Sequence, residues 1–76
     1  MKDTLLTLVK AIVDNPDDVA IEETDDNGFV TLTISVHADD MGKVIGKEGK
    51  VIRSLRNVMK IPAIKQGKKI NVSIAE

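Results

Sequence analysis

Leu5, Leu8, Val9, Ile12 and Val13 recur three and four residues apart, which places them on one side of a helix. Asn15-Pro16 ends the pattern, because proline restricts its predecessor and cannot extend a helix, so the spacing predicts a first helix over residues 4–14. Val19 and Ile21 then alternate with polar neighbours as far as Asp25-Asp26-Asn27-Gly28. The Asn-Gly step supplies the positive φ angles of a tight hairpin, and a second strand must follow it. From Phe29 to Val36 the alternation is clean, with Val30, Leu32, Ile34 and Val36 on one face and Thr31, Thr33 and Ser35 on the other. Such a strand needs cover on one side only.

After Val36 the period changes. Asp39 or Asp40 is placed to accept hydrogen bonds from the first turn of a short helix that runs to about Ile45. Gly46 to Gly49 interrupts it. Val51, Ile52, Leu55, Val58 and Met59 then mark another amphipathic helix, whose opposite face carries Lys50, Arg53, Arg56, Asn57 and Lys60. Pro62 and Gly67 delimit a connecting loop, and Ile70, Val72 and Ile74 alternate with Asn71 and Ser73 as a third strand. The order αββααβ predicts an α+β fold in which three helices cover the apolar face of one three-stranded mixed sheet.

Seventy-six residues leave room for a single core, and a chain of that size buries only roughly 60% of the surface it exposes when unfolded. Oligomerisation is one way to supplement so small a core. Cysteine is absent, which excludes disulfides and thiolate metal sites and makes the reducing cytoplasm the expected compartment. No apolar run approaches the roughly 20 residues of a membrane span, so no membrane partner is expected. The net charge of −1 hides a segregation. Residues 1–40 hold ten acids against Lys2 and Lys10, whereas residues 41–76 hold nine bases against Glu48 and Glu76. Surface ion pairs contribute only ~0–1 kcal/mol each, so stability alone is a weak reason for the arrangement, and a basic side facing a ligand is favoured.

Candidate chemistry is sparse. Gly42 to Lys47 fails as a nucleotide-binding P-loop, which needs four residues between its glycines and Ser or Thr after the lysine; here three intervene and Glu48 follows. His37 has no second His or Cys to share a metal and reads as a solvated residue at a strand end. The pairs Asp17-Asp18, Asp25-Asp26 and Asp39-Asp40 sit at turns and caps, where carboxylates bond to nearby backbone. Phe29 is the only aromatic, which disfavours stacking platforms built from several rings, and it reads as core or hairpin packing. No convergent polar set suggests catalysis, and no cofactor, metal or small-molecule substrate is expected.

What remains is the run Met41-Gly42-Lys43-Val44-Ile45-Gly46-Lys47-Glu48-Gly49-Lys50-Val51-Ile52, set after an alternating strand and before a helix and final strand. It resembles the KH domain, in which an apolar pair precedes a Gly-x-x-Gly loop between two helices. The core βααβ of that family maps onto residues 29–75, and the preceding helix and strand are similar to its type II arrangement. Residues 1–76 therefore read as one domain. The length and the Asn-Pro-Asp stretch after the first helix resemble the small single-KH bacterial proteins of the KhpA-like family.

The resemblance implies a non-enzymatic protein that grips about four nucleotides of single-stranded RNA and serves as an RNA chaperone or post-transcriptional regulator. It implies roles for Gly46, Lys47, Glu48 and Gly49 at the sugar-phosphate chain, with Lys43, Lys50 and Arg53 reinforcing the field. Gly42, Ile45 and Ile52 would underlie the bases, although Ile45 and Ile52 read equally well as ordinary core residues. Physically the loop suits phosphate, since glycine lets the backbone approach and the following helix begins with unsatisfied N–H groups. Glu48 is the awkward member, an acid beside a phosphate path that also favours a helix N-terminus. Gly42 needs a reason too, because glycine within a helix costs up to ~1 kcal/mol relative to alanine.

A rival reading makes the chain a protein-interaction module that pairs with itself or with a larger KH-containing partner. Val58, Met59, Ile61 and Ile64 form an apolar surplus near the end of the third helix and are expected at a homodimer or heterodimer interface, unless Ile61 and Ile64 fold back over the sheet's end.

Overall fold

The computed structural model describes residues 1–75. Helix α1 (Lys2–Ile12) leads through a 3₁₀ turn (Pro16–Asp18) into the hairpin β1 (Ala20–Asp26) and β2 (Phe29–Ser35). A 3₁₀ turn (Ala38–Asp40), helix α2 (Met41–Ile45), a third such turn (Lys47–Gly49), helix α3 (Lys50–Lys65) and strand β3 (Lys69–Ile74) follow. β2 is central, antiparallel to β1 and parallel to β3, so the sheet is mixed in the order β1-β2-β3.

The alternation in β2 does what the sequence implies. Val30, Leu32 and Ile34 are buried and share their face with Ile21 of β1 and Val72 of β3. Leu5 and Val9 of α1, Val44 of α2, and Ile52, Leu55 and Met59 of α3 close over that face to form one core. Asn27 and Gly28 take the positive φ values of the hairpin, and Asp25 Oδ1 accepts the Gly28 N–H at 3.0 Å.

Four local expectations need correction. Helix α1 ends at Ile12 and not at residue 14, because the backbone N–H groups of Asp14 and Asn15 bond to the side chain of Asp40 instead of to the helix. The loop expected between Pro62 and Gly67 is mostly helix. α3 passes through Pro62 because its core stripe of Ile52, Leu55 and Met59 continues to Ala63, which is 1% exposed. It stops at Gly67, whose φ of 68° lets Gly67 N–H reach Ile64 O and Lys68 N–H reach Ala63 O, a Schellman closure. Phe29 is not core: it lies on the open face of the sheet, paired in register with Asp26 and Lys69, and is 48% exposed. Met59 is fully buried and unavailable to an interface, while Ile61 and Ile64 are exposed and do not fold back over the sheet.

Candidate nucleic-acid interface

The site begins where β2 gives way to helix. His37 Nδ1, on an exposed side chain, accepts the Asp39 N–H at 3.0 Å and starts the turn that leads into α2. Neither aspartate caps α2 with its side chain. Asp40 is 1% exposed, and its carboxylate accepts the N–H groups of Asp14 (3.2 Å) and Asn15 (3.0 Å) and the Asn15 Nδ2 (3.0 Å). Burial alone would push this carboxyl up; the Asn15 and Asp14 donors, with Lys43 nearby, outweigh it and hold it below the ordinary aspartate value. One side chain thus pins the end of α1 to the start of α2.

Helix α2 then stops at Gly46, whose N–H bonds to Gly42 O at 2.8 Å and whose φ of 75° turns the chain outward. A methyl group there would lie 2.8 Å from both the Cβ and the backbone nitrogen of Val51, so only glycine fits. Glu48 follows at φ 58°, a left-handed conformation unusual for a glutamate, and Gly49 at φ 73°. Arg53 Nη2 donates to Glu48 O at 3.2 Å and braces the turn from within α3. No side chain caps α3, whose N-cap is Gly49. Lys47, Glu48 and Lys50 are exposed around this bare backbone.

The expected residues divide by what the fold does with them. Gly42 is exposed, and a Cβ placed on it would meet nothing within 4 Å, so nothing in the folded chain demands a glycine there. Ile45 is 39% exposed beside it, whereas Ile52 is 7% exposed and belongs to the core. Lys43 is engaged: its Nζ bonds to Asp14 Oδ2 and lies 3.9 Å from Asp40 Oδ1, and the Asp14 contact raises its pKa. Among the described residues Lys47, Lys50 and Arg53 have no carboxylate within ion-pair distance.

Sequence reasoning missed Asp40 and Asn15, which position α2, and Arg56, whose Nε donates to Val72 O at 2.9 Å on β3. The only sign of the first pair was two adjacent acids at a strand-helix junction, which local rules read as a cap. Chemically the arrangement suits an extended polyanion: backbone N–H groups, a helix start, unpaired lysines and an adjoining apolar step at Gly42 and Ile45.

A mixed sheet backed by three helices on one face, with a Gly-x-x-Gly turn between the last two, defines a KH domain of the αββααβ order. The chain belongs to the KhpA/KhpB KH-domain family, whose sequence model matches residues 2–74. It is 42% identical to the RNA-binding protein KhpA of Halalkalibacterium halodurans over 76 residues, 100% of both chains. To the KhpA of Clostridium acetobutylicum it is 40% identical over 74 residues, 97% of this chain and 99% of the relative. The Streptomyces coelicolor KhpA is 46% identical over 59 residues, 78% and 75% of the two chains. No solved structure gives a significant match.

Proposed function

We propose that this protein binds single-stranded RNA and holds about four nucleotides of it with the Gly46-Lys47-Glu48-Gly49 turn as a backbone clamp. The observation that carries the reading is the turn itself, with exposed Lys47 and Glu48 between two half-buried positive-φ glycines at an uncapped helix start, next to the unfilled surface at Gly42. The names of the relatives, RNA-binding protein KhpA, support the same ligand. Lys47 and Lys50 supply the unpaired charge, Ile45 and the bare α2 backbone at Gly42 meet the bases, and Arg53 holds the turn in shape. Lys43, tied to Asp14, contributes less than its position suggested. The protein acts without catalysis, as a cytoplasmic RNA chaperone or post-transcriptional regulator.

The test is Lys47→Asp with Glu48→Asp. Aspartate tolerates the left-handed conformation of position 48 better than most residues, and both positions are solvated, so the fold survives. Binding to an unstructured oligoribonucleotide at low salt should be lost while the circular dichroism spectrum is unchanged. Undiminished affinity of the folded variant would remove the turn from the mechanism.

A second reading adds to the first. Val58 and Ile61 on α3 are 43% and 59% exposed, and an apolar groove beside them is lined by Leu8, Ile12, Val51 and Leu55. Self-association through this side of α3 would bury them and support a small core. Sedimentation equilibrium at micromolar concentration should give a dimer for the wild type and a folded monomer for Ile61→Asp; a wild-type monomer defeats the pairing.

A further inference from the structure

The clamp sits at the start of α3, but the basic face of that helix does not end there. Arg53, Arg56 and Lys60 follow one another three and four residues apart, and beyond the Arg53 brace Arg56 bonds to Val72 O and Lys60 lies by Lys69 and Ile70 of β3, an edge strand of the sheet. At the far end, roughly 20 Å from Gly49 at 1.5 Å per residue, α3 and the start of β3 enclose an open concavity of about 280 Å³. Its apolar floor is Ala63, Ile64 and Ile70, and Lys60, Lys68 and Lys69 surround it. Ile64 is 74% exposed, the most exposed large apolar side chain in the described residues, and it faces this hollow and not the Val58 groove.

Three observations say what fits. Lys69 N–H donates to Gly28 O just before β2 and Ala75 N–H to Ile34 O within it, so the alternate residues Ile70 and Val72 turn their backbone N–H and C=O groups to the open edge. Arg56 occupies Val72 O, and among the described residues the outward groups of Ile70 have no partner beside the apolar floor. Lys68 is paired with Asp25, whereas Lys60 and Lys69 have no carboxylate within ion-pair distance among the described residues. An apolar floor, outward backbone donor and acceptor groups and two unpaired cations match a nucleotide: a base against Ile64 and Ile70, its edge on Ile70 backbone, and phosphates at Lys60 and Lys69.

We propose that the hollow between the end of α3 and the start of β3 is an accessory RNA subsite, which takes a nucleotide beyond those held by the clamp. The proposal rests on the RNA reading above and extends its footprint along α3.

The experiment compares wild type, Lys60→Gln with Lys69→Gln, and Ile64→Ser, each with an unstructured tetranucleotide and a decanucleotide. All three substituted residues are exposed, so the variants fold. A longer strand offers more registers to any clamp, so the decisive comparison is between proteins. The double variant should bind the tetranucleotide as the wild type does, yet lose several-fold in affinity for the decanucleotide. Its decanucleotide salt slope should fall by about 1.4, at ~0.7 per phosphate released. Ile64→Ser should lose affinity for the decanucleotide with the slope unchanged. Equal behaviour of wild type and variants on the decanucleotide overturns the subsite, and leaves the hollow to an acidic protein segment; equal losses on both lengths overturn it as well, because the lysines would then act as general charge. Absence of wild-type binding at either length overturns the RNA reading itself.

Discussion

Two glycines four residues apart do opposite work. Gly46 is required by the fold, since its φ is positive and a side chain would collide with Val51. Gly42 has helical backbone and open space around its missing Cβ. Gly46→Ala should therefore destabilise the protein by about 1–3 kcal/mol. Gly42→Ala should leave it as stable or up to ~1 kcal/mol more stable, and yet bind RNA more weakly, because the methyl group occupies the surface a base would use. Urea titration and fluorescence anisotropy on the same samples separate these effects, and full RNA affinity in Gly42→Ala would take that surface out of the site.

Asp40 makes a second prediction of the same scale. Its carboxyl, like that of Asp25 with its Lys68 and Gly28 partners, is held below the ordinary aspartate value in the folded chain. A group with its pKa lowered by folding gives stability that is complete above its unfolded value, about 3.9, and that disappears as pH falls through the folded value. Thermal melts from neutral to acid pH should show the wild-type Tm falling in that window. Asp40→Asn should melt lower at neutral pH and lose less on acidification. Parallel curves for the two proteins would show that Asp40 carries none of the acid sensitivity.

Among the elements, those with strong periodicity were legible from sequence and those that depend on distant partners were not. The faces of β1, β2, β3 and the core stripe of α3 follow from alternation and spacing, which act within a few residues. The end of α1 was misplaced because Asp40, some 25 residues away, takes the amides that would have continued the helix. Pro62 reads locally as a breaker, but a buried Ala63 one turn beyond Met59 and the closure at Gly67 hold the last turn in place. The proline deprives an exposed part of α3 of one helix hydrogen bond, so Pro62→Ala should raise stability by about 1–3 kcal/mol in chemical denaturation. Lower stability would mean that the ring's own contacts outweigh the missing bond. Of the candidate site, the Gly-x-x-Gly turn and its lysines could be read directly. The Arg53 brace and the Lys43–Asp14 pair could not, since the first depends on the left-handed turn at Glu48 and the second on how the end of α1 meets α2.

At the scale of the whole molecule, the charge segregation of the sequence becomes a spatial one. β1, with Glu22, Glu23, Asp25 and Asp26, forms one edge of the sheet, and β3, flanked by Lys69, Arg56 and Lys60, forms the other. Among the described residues only Lys43 and Lys68 of the basic half reach carboxylates, so internal pairing leaves most of the basic charge available to a ligand. No helix in the described residues is long and apolar enough to cross a membrane. The near-neutral total hides a surface with one side suited to polyanions.

The claim at the centre of this account is that RNA lies against the Gly46–Gly49 turn and the adjoining face of α2. Titrating isotope-labelled protein with an unstructured tetranucleotide and following backbone amide shifts reads that contact residue by residue. The largest changes should fall at Gly42, Ile45, Gly46 to Gly49 and the first turn of α3, with the open sheet face at Thr31, Thr33 and Asn71 unmoved. Shifts concentrated on that sheet face, with the turn silent, would contradict it.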